Sequence, residues 1–381
     1  MSPAGGADGS RDDGSAAAAP GAADLGALTA ELIAVPSVSG DEGALAARVA
    51  ARLAAAPGET FRHGNNVVHR GPRRPGRPLV VLAGHLDTVP PQGNAAPRFA
   101  DGRLYGRGAS DMKSGLAVML ALAGGAGPAP PAEAARYDLA WVFYECEEVA
   151  FERNGLRRLW SELPWLAEAA LAILLEPTDC AAELGCLGSL HAELTVRGRA
   201  AHSARPWLGE NALYRALPLL ARLAAVAPRE VGVGGVTYRE TLQVTTARCG
   251  GGRNVVPDAF TCNVNLRFAP TRGAEAAAAE LRALAGADAE VAVVDVSPAA
   301  APAAEHPLVA EFLARFALPR RAKQAWTDVA QFAARGVPAL NFGPGVPETA
   351  HQADESVPLA NLERARAVLR DFLWTAGGEG A

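Results

Sequence analysis

The residues best suited to chemistry are two histidines and a group of carboxylates, each placed where an apolar run stops. In LVVLAGHLDTV (79–89) the apolar stretch ends at Gly84, and His85 and Asp87 follow two positions apart. On an extended backbone that spacing puts both side chains on one side. Asp111 lies in the Gly-rich turn GRGASDMKSG (106–115), Glu145, Glu147 and Glu148 in ECEEV (145–149), Glu176 just before Pro177, and His351 after the turn GPG (343–345). An imidazole, a neighbouring carboxylate able to hold it in one tautomer, and a carboxylate delivered by a turn begin a metal site.

Two imidazoles and three carboxylates suit a pair of divalent metals, with zinc, cobalt or manganese favoured by neutral nitrogen and hard oxygen donors. Asp111 can bridge them, because a carboxylate has two oxygens to share across the ~3.5–4 Å of a two-metal site. Glu147 and Glu148 are adjacent, so on an extended strand they point to opposite sides; one can bind metal while the other takes a proton from water. Taken singly, each motif has a plainer reading. A His-x-Asp pair is often structural, an acidic run is often a solvated strand end, and the Gly-rich turn lacks the G-x-x-x-x-G-K-[ST] spacing of a phosphate cradle. Only their shared position at the ends of apolar runs favours a metal centre.

The elements that must position these residues read as α/β. A helical pattern at 25–33 precedes SVSGDEG, in which Ser39 and Glu42 have the spacing of a capping box for a helix at 43–55. Strands are expected near 66–69 and at 79–83, 139–144 and 170–175, with a buried helix at 115–123. This alternation predicts a mostly parallel central sheet flanked by helices, with ligands gathering beyond the carboxyl ends of its strands. From 187 to 297 the rhythm becomes βαββαβ, as in a ferredoxin-like unit inserted into the first domain. A helix at 308–316, a strand at 339–342 and a closing helix at 359–375 complete the first domain, returning His351 to the same crevice. The expected segments are a disordered tail (1–23), a catalytic domain in two parts (24–184 and 299–377), and the insert (185–298).

Composition narrows the possible partners. At 381 residues the chain is long for one core, and 36 basic against 41 acidic residues give a net charge of −5. That balance, without a basic block, offers nothing to nucleic acid or an anionic membrane, and no apolar run approaches the ~20 residues of a membrane helix. The first 23 residues have no apolar core of the kind a secretory signal needs. Five cysteines without C-x-x-C spacing argue against disulfides and thiolate zinc, and fit a reducing cytoplasm.

GHLDTV, GRGASDMKSG, CEEV, LEP, GRAAHSARP, GGRNVVPD, VNLRF and GVPALNFGPGVPETAHQADE together resemble the metal-dependent amidohydrolase and peptidase family M20, in order and spacing from about Ala27 to Leu373. Within it the chain is most similar to actinobacterial members that remove succinate from a diaminopimelate amide, a step in lysine biosynthesis. The resemblance implies a two-metal hydrolase in which His85 and Glu176 hold one ion, Glu148 and His351 the other, and Asp111 bridges. It further implies Asp87 orienting His85, Glu147 as general base, and an inserted domain that makes a homodimer and sends His202 toward the partner subunit's site; since His202 lies outside the metal domain, closure of the insert over substrate as a lid is expected. Arg267 and Asn254 match positions that bind substrate, Thr327 lies in a matching loop, and Arg205 neighbours His202. Two departures bear on substrate: Cys186 and Leu187 stand where proteobacterial relatives have arginines, and Pro347 where they have asparagine. The alternatives are a deacylase for another N-acyl amino acid such as acetylornithine, a dipeptidase, or a non-catalytic homologue.

Overall fold

A computed structural model describes residues 24–127 and 130–375, so the expected tail (1–23) and the end of the closing segment (376–377) lie outside the described residues. The main sheet is built from β1 (Glu59–His63), β2 (Asn66–Arg70), β3 (Leu79–His85), β4 (Asp138–Tyr144), β5 (Ala169–Leu174) and β6 (Ala182–Leu184). A second sheet holds β7 (Gly188–Arg197), β8 (Arg229–Val233), β9 (Val236–Cys249), β10 (Ala259–Phe268) and β11 (Glu290–Ser297). The chain then returns to the main sheet through β12 (Arg320–Ala322) and β13 (Ala339–Asn341).

In the main sheet the order is β1-β2-β4-β3-β5-β13-β6-β12. The pairs β3–β4, β3–β5, β5–β13 and β6–β12 are parallel. The central strands β3 and β4 are buried at every residue, as expected where helices cover both faces. Alternate residues feed two cores. Val80, Leu82, Trp141 and Phe143 pack with the helices Leu25–Ile33, Gly43–Leu53, Lys113–Ala123 and Leu359–Trp374. Leu79, Val81, Ala83, Val142 and Tyr144 pack on the other side with Gly155–Glu162 and Val329–Ala333.

The second sheet is antiparallel, in the order β8-β9-β10-β7-β11. Without its edge strand β8, that order and the intervening helices Ala212–Ala224 and Ala274–Ala285 are the ferredoxin-like arrangement. The strand Arg229–Val233, an added edge hairpin partner, was not expected. Here the alternation is strict: Leu190, Ala192, Leu194 and Val196 of β7 and Phe260, Cys262, Val264, Leu266 and Phe268 of β10 are buried under the two helices. Their neighbours of opposite parity, Ser189, His191, Asn263, Asn265 and Arg267, face the other way, toward the carboxyl ends of the main sheet.

The expected capping box does not form. Glu42 itself precedes the helix and caps no backbone amide of its first turn; its Oε1 accepts from the N–H groups of Gly40 and Cys146. Ser39 donates instead to Asp87 Oδ2 at 2.7 Å. Both side chains of that loop are therefore used to fix strand ends, because a tertiary acceptor lies nearer than the helix terminus.

Candidate metal centre

His85 closes β3, and its ring is buried between two carboxylate-bearing segments. Its Nε2 lies 3.0 Å from Asp111 Oδ1, and its Nδ1 lies 3.0 Å from the Asp87 carbonyl and 3.5 Å from Asp87 Oδ1. The other oxygen of Asp111 is 3.4 Å from Nε2 of His351, which also lies 2.8 Å from Glu148 Oε1. Asp111 thus presents one oxygen to each histidine. Donor atoms of His85, Asp111 and Glu176 lie within 4.8 Å of one another, as do those of Asp111, Glu148 and His351, and those of His85, Glu147 and Glu148.

Each of these side chains is held by a different local device. Glu355 Oε1 accepts from the backbone N–H groups of Ser110 and Asp111, fixing the Gly-rich turn, while Arg107 anchors the same carboxylate at 2.6 Å. Asp87 accepts from the N–H of Glu147 at 3.0 Å through Oδ1 and from that of Glu148 at 3.0 Å through Oδ2. Its carboxylate therefore aims both glutamates as well as bordering His85. His351 comes in on the GPG turn, which must lie against backbone. A Cβ on Gly343 would meet the Glu176 carbonyl oxygen at 2.4 Å, and one on Gly345 the Ser110 carbonyl oxygen at 2.2 Å. Only glycine allows that approach.

The electrostatics show a centre short of positive charge. Burial, together with repulsion from Glu148, Glu176 and Asp328 and against the pull of His85, holds the Glu147 carboxyl well above the usual range. Burial, opposed by His85 and reinforced by Asp111, pushes Glu176 up to about 8, and its Oε1 has no hydrogen-bond partner. Glu148 is raised by burial and by the charge of Asp111, partly offset by its bond to His351. Asp111 goes the other way: burial would raise it, but hydrogen bonds from His351 and His85 carry it well below the usual carboxylate range. Bonds to Asp111 and Glu148 lift His351 to about 10. An orphaned buried carboxylate oxygen, a carboxylate shared between two imidazoles, and a set of nitrogen and oxygen donors are what two divalent cations require. The residues fit them.

The cleft around this centre has a volume of about 820 Å³. It brings in Arg267 and Thr327 of the sequence-predicted substrate residues; Thr327 is also bonded to Asn341. His202, Asn254 and Arg205 do not line it. They lie together on the outer surface, where Ala201–His202 pairs with Val255–Val256, Ser203 N–H donates to the Asn254 carbonyl and Arg205 N–H to that of His202. Sequence reasoning missed Glu355, Ser189, His191, Asn263, Asp295 and Lys323. Glu355 lies in the quoted segment AHQADE, and the others except Lys323 carry a signal only through strand alternation. Lys323 is buried, with Nζ 2.8 Å from the Pro177 carbonyl and 3.0 Å from Glu183, and braces the strand end bearing Glu176.

This fold and this donor set fit a two-metal hydrolase. Residues 81–375 match peptidase family M20/M25/M40, and the chain belongs to that family. It is 42% identical over 355 residues, 91% of this chain and 95% of the relative, to the succinyl-diaminopimelate desuccinylase of Corynebacterium glutamicum. A Mycobacterium tuberculosis protein provisionally named succinyl-diaminopimelate desuccinylase DapE is 44% identical over 350 residues, covering 91% of this chain and 97% of that one. Among solved structures, a Staphylococcus aureus tripeptidase superposes with a TM-score of 0.75 at 19% identity, over 92% of this chain and 97% of that one. A dinuclear metal-binding peptidase of family M20 from Bacillus subtilis gives 0.65 at 16% identity, over 91% and 96%. At such identities the likeness is one of fold.

Proposed function

We propose that this chain hydrolyses the amide of N-succinyl-L,L-2,6-diaminopimelate, giving succinate and L,L-diaminopimelate for lysine and diaminopimelate biosynthesis. The reading is carried by Asp111, whose two oxygens face His85 and His351 amid carboxylates raised by burial, one of which, Glu176, keeps an oxygen without a hydrogen-bond partner. The names of the relatives at 42–44% identity support the substrate. His85 and Glu176 would hold one cation, Glu148 and His351 the second, and Asp111 both. Zinc suits these donors, with cobalt or manganese as alternatives.

Two cations held there would supply positive charge able to acidify a water and polarise the amide carbonyl. Glu147, half-buried in the wall of the cleft, takes the proton of the attacking water and passes it to the departing amine. Asp87 holds Glu147 and Glu148 in register through their backbone amides. Arg267 meets a substrate carboxylate from the facing sheet, beside Thr327. His202 stands outside its own chain's cleft, so we assign it, with Asn254 and Arg205, to the partner's site in a homodimer, where it stabilises the developing oxyanion. The exposed apolar side chains Trp207 and Leu208 in the turn that packs on it, and Tyr214 and Leu217 on the helix that follows, give such a dimer a surface to bury. Residues 185–298 are then lid and dimer interface, and 24–184 with 299–377 the catalytic part. Among the described residues no helix is long and apolar enough to cross a membrane. A cytoplasmic setting suits the substrate and the five free cysteines.

Assaying N-succinyl-L,L-diaminopimelate, N-acetylornithine and a dipeptide side by side, with zinc supplied, tests the assignment. The succinyl amide should give the highest kcat/KM. A higher value for either of the others would transfer the function to that substrate.

A further inference from the structure

The wall of the cleft opposite the metal centre is the polar face of the antiparallel sheet, and its charges are unevenly spread. Across β10, β7 and β11 the register sets Arg267, Ser189 and Ser297 in one row, and Asn265, His191 and Asp295 in the next. Arg267 Nε is bonded to Asn265 Oδ1 at 3.0 Å, and its terminal nitrogens have no partner among the described residues. His191 lies within 3.2 Å and 3.0 Å of the amides of Asn263 and Asn265; burial and the nearby Arg267 lower its pKa against the opposing charge of Asp295. Asp295 lines the same cavity as Asp111, Glu147 and Glu176 and has no side-chain hydrogen bond or ion pair among the described residues.

The backbone is altered to put that carboxylate there. Along β11 the register runs Val293 opposite Ala192 and then Asp295 opposite His191, leaving Val294 as an extra residue, 56% exposed at the cleft. Were the ladder unbroken, Val294 would stand opposite His191 and Asp295 opposite Leu190, on the face that packs against the helices. A single bulge therefore turns the acid from the core toward the cleft, a use typical of bulges beside active sites.

We propose that Asp295 is a specificity-determining residue that receives the substrate's free ammonium group, while Arg267 takes a carboxylate. The proposal rests on the desuccinylase reading and deepens it: the cleft recognises an amide of a diamino acid, one whose far end is a zwitterion. The two positions are two strands and one row apart, about 12 Å along the diagonal of the sheet, a span that a seven-carbon diacid chain with side-chain reach can bridge.

The test compares N-succinyl-L,L-diaminopimelate with N-succinyl-L-2-aminopimelate, in which hydrogen replaces the free ammonium. The unaltered enzyme should prefer the former by about ten- to a hundredfold in kcat/KM, the range of a charged hydrogen bond. Asp295→Asn should erase most of that preference by raising KM for the diamino substrate alone, and Asp295→Glu should restore part of it. Equal kcat/KM for the two compounds in the unaltered enzyme, or an equal loss for both in Asp295→Asn, would overturn the ammonium site and leave the desuccinylase reading standing. An enzyme that cleaves neither succinyl amide but cleaves N-acetylornithine would overturn the reading itself, and the ammonium site with it.

Discussion

Two groups of buried acids in this molecule are treated in opposite ways. Glu240, on β9 of the antiparallel sheet, accepts from Ala269 N–H at 2.7 Å and from Arg272 Nε at 3.2 Å, and is also paired with Arg229. Burial would raise its pKa, but those donors bring it below the usual carboxylate value. Glu147, Glu148 and Glu176, at the ends of the parallel strands, are raised instead, and Glu176 keeps an oxygen with no partner. Both places draw carboxylates from solvent, yet only Glu240 has its oxygens met by hydrogen-bonding cations, whereas Lys323 near Glu176 is bonded to Glu183 and the Pro177 carbonyl. The direction of the shift thus separates an acid that completes the fold from acids arranged for charge that arrives from outside.

The sharpest way to break this contrast is to remove the external charge. Exhaustive chelation should abolish amide hydrolysis and lower the melting temperature, and zinc at a thousandfold over its Kd should return about 4 kcal/mol of stability. Calorimetry with and without chelator checks this, and an unchanged Tm would mean the carboxylates are compensated by the protein after all. Glu147→Gln comes next. Turnover should fall by about 10²–10⁴-fold while two ions per chain remain by elemental analysis, since this side chain is assigned to the proton and not to a metal. Loss of metal alongside turnover would contradict that division.

On the compensated side, Glu240→Gln should cost about 1–3 kcal/mol in denaturant unfolding, because it leaves Arg229, Arg272 and the Ala269 N–H poorly met, and should leave metal content untouched. Its pH signature has a definite sign. A folded pKa below the unfolded value means that Glu240 contributes stability above about pH 4.5, lost as the pH falls through the folded pKa. The variant should therefore show a flatter acid limb of Tm against pH. His69 gives the smallest effect. Burial lowers its pKa, opposed by its bond to the Pro57 carbonyl, so below about pH 6.5 the unfolded chain takes up the proton first and stability declines with acidification. His69→Gln should remove that decline between pH 6.5 and 5, followed as Tm.

Much of this was readable beforehand because the signals are local. Apolar runs ending in His85, Glu147, Glu148 and Glu176 mark buried parallel strands, whose burial on both faces suppresses polar residues until the chain emerges. The period of two in β7 and β10 marked a sheet with one covered face. The Ser39–Glu42 spacing misled, since a capping box and a pair of tertiary acceptors have the same local pattern and differ only in what packs nearby. His191 and Asp295 were invisible for a related reason: a lone polar residue on a strand acquires a role only when its face is turned toward something.

What the linear order of residues determined by itself is the inventory: a metal-binding class of donors, an α/β frame to present them, and an interrupting βαββαβ unit. Tertiary structure decided the assignments within it. That Asp87 aims Glu147 and Glu148 through their amides, that Glu355 holds the Asp111 turn, and that a bulge turns Asp295 into the cleft all depend on contacts between segments some 60 to 245 positions apart in the chain. Hydrogen bonds and charge act over a few ångströms of space irrespective of distance along the chain, so no local pattern can encode which partner a side chain will meet.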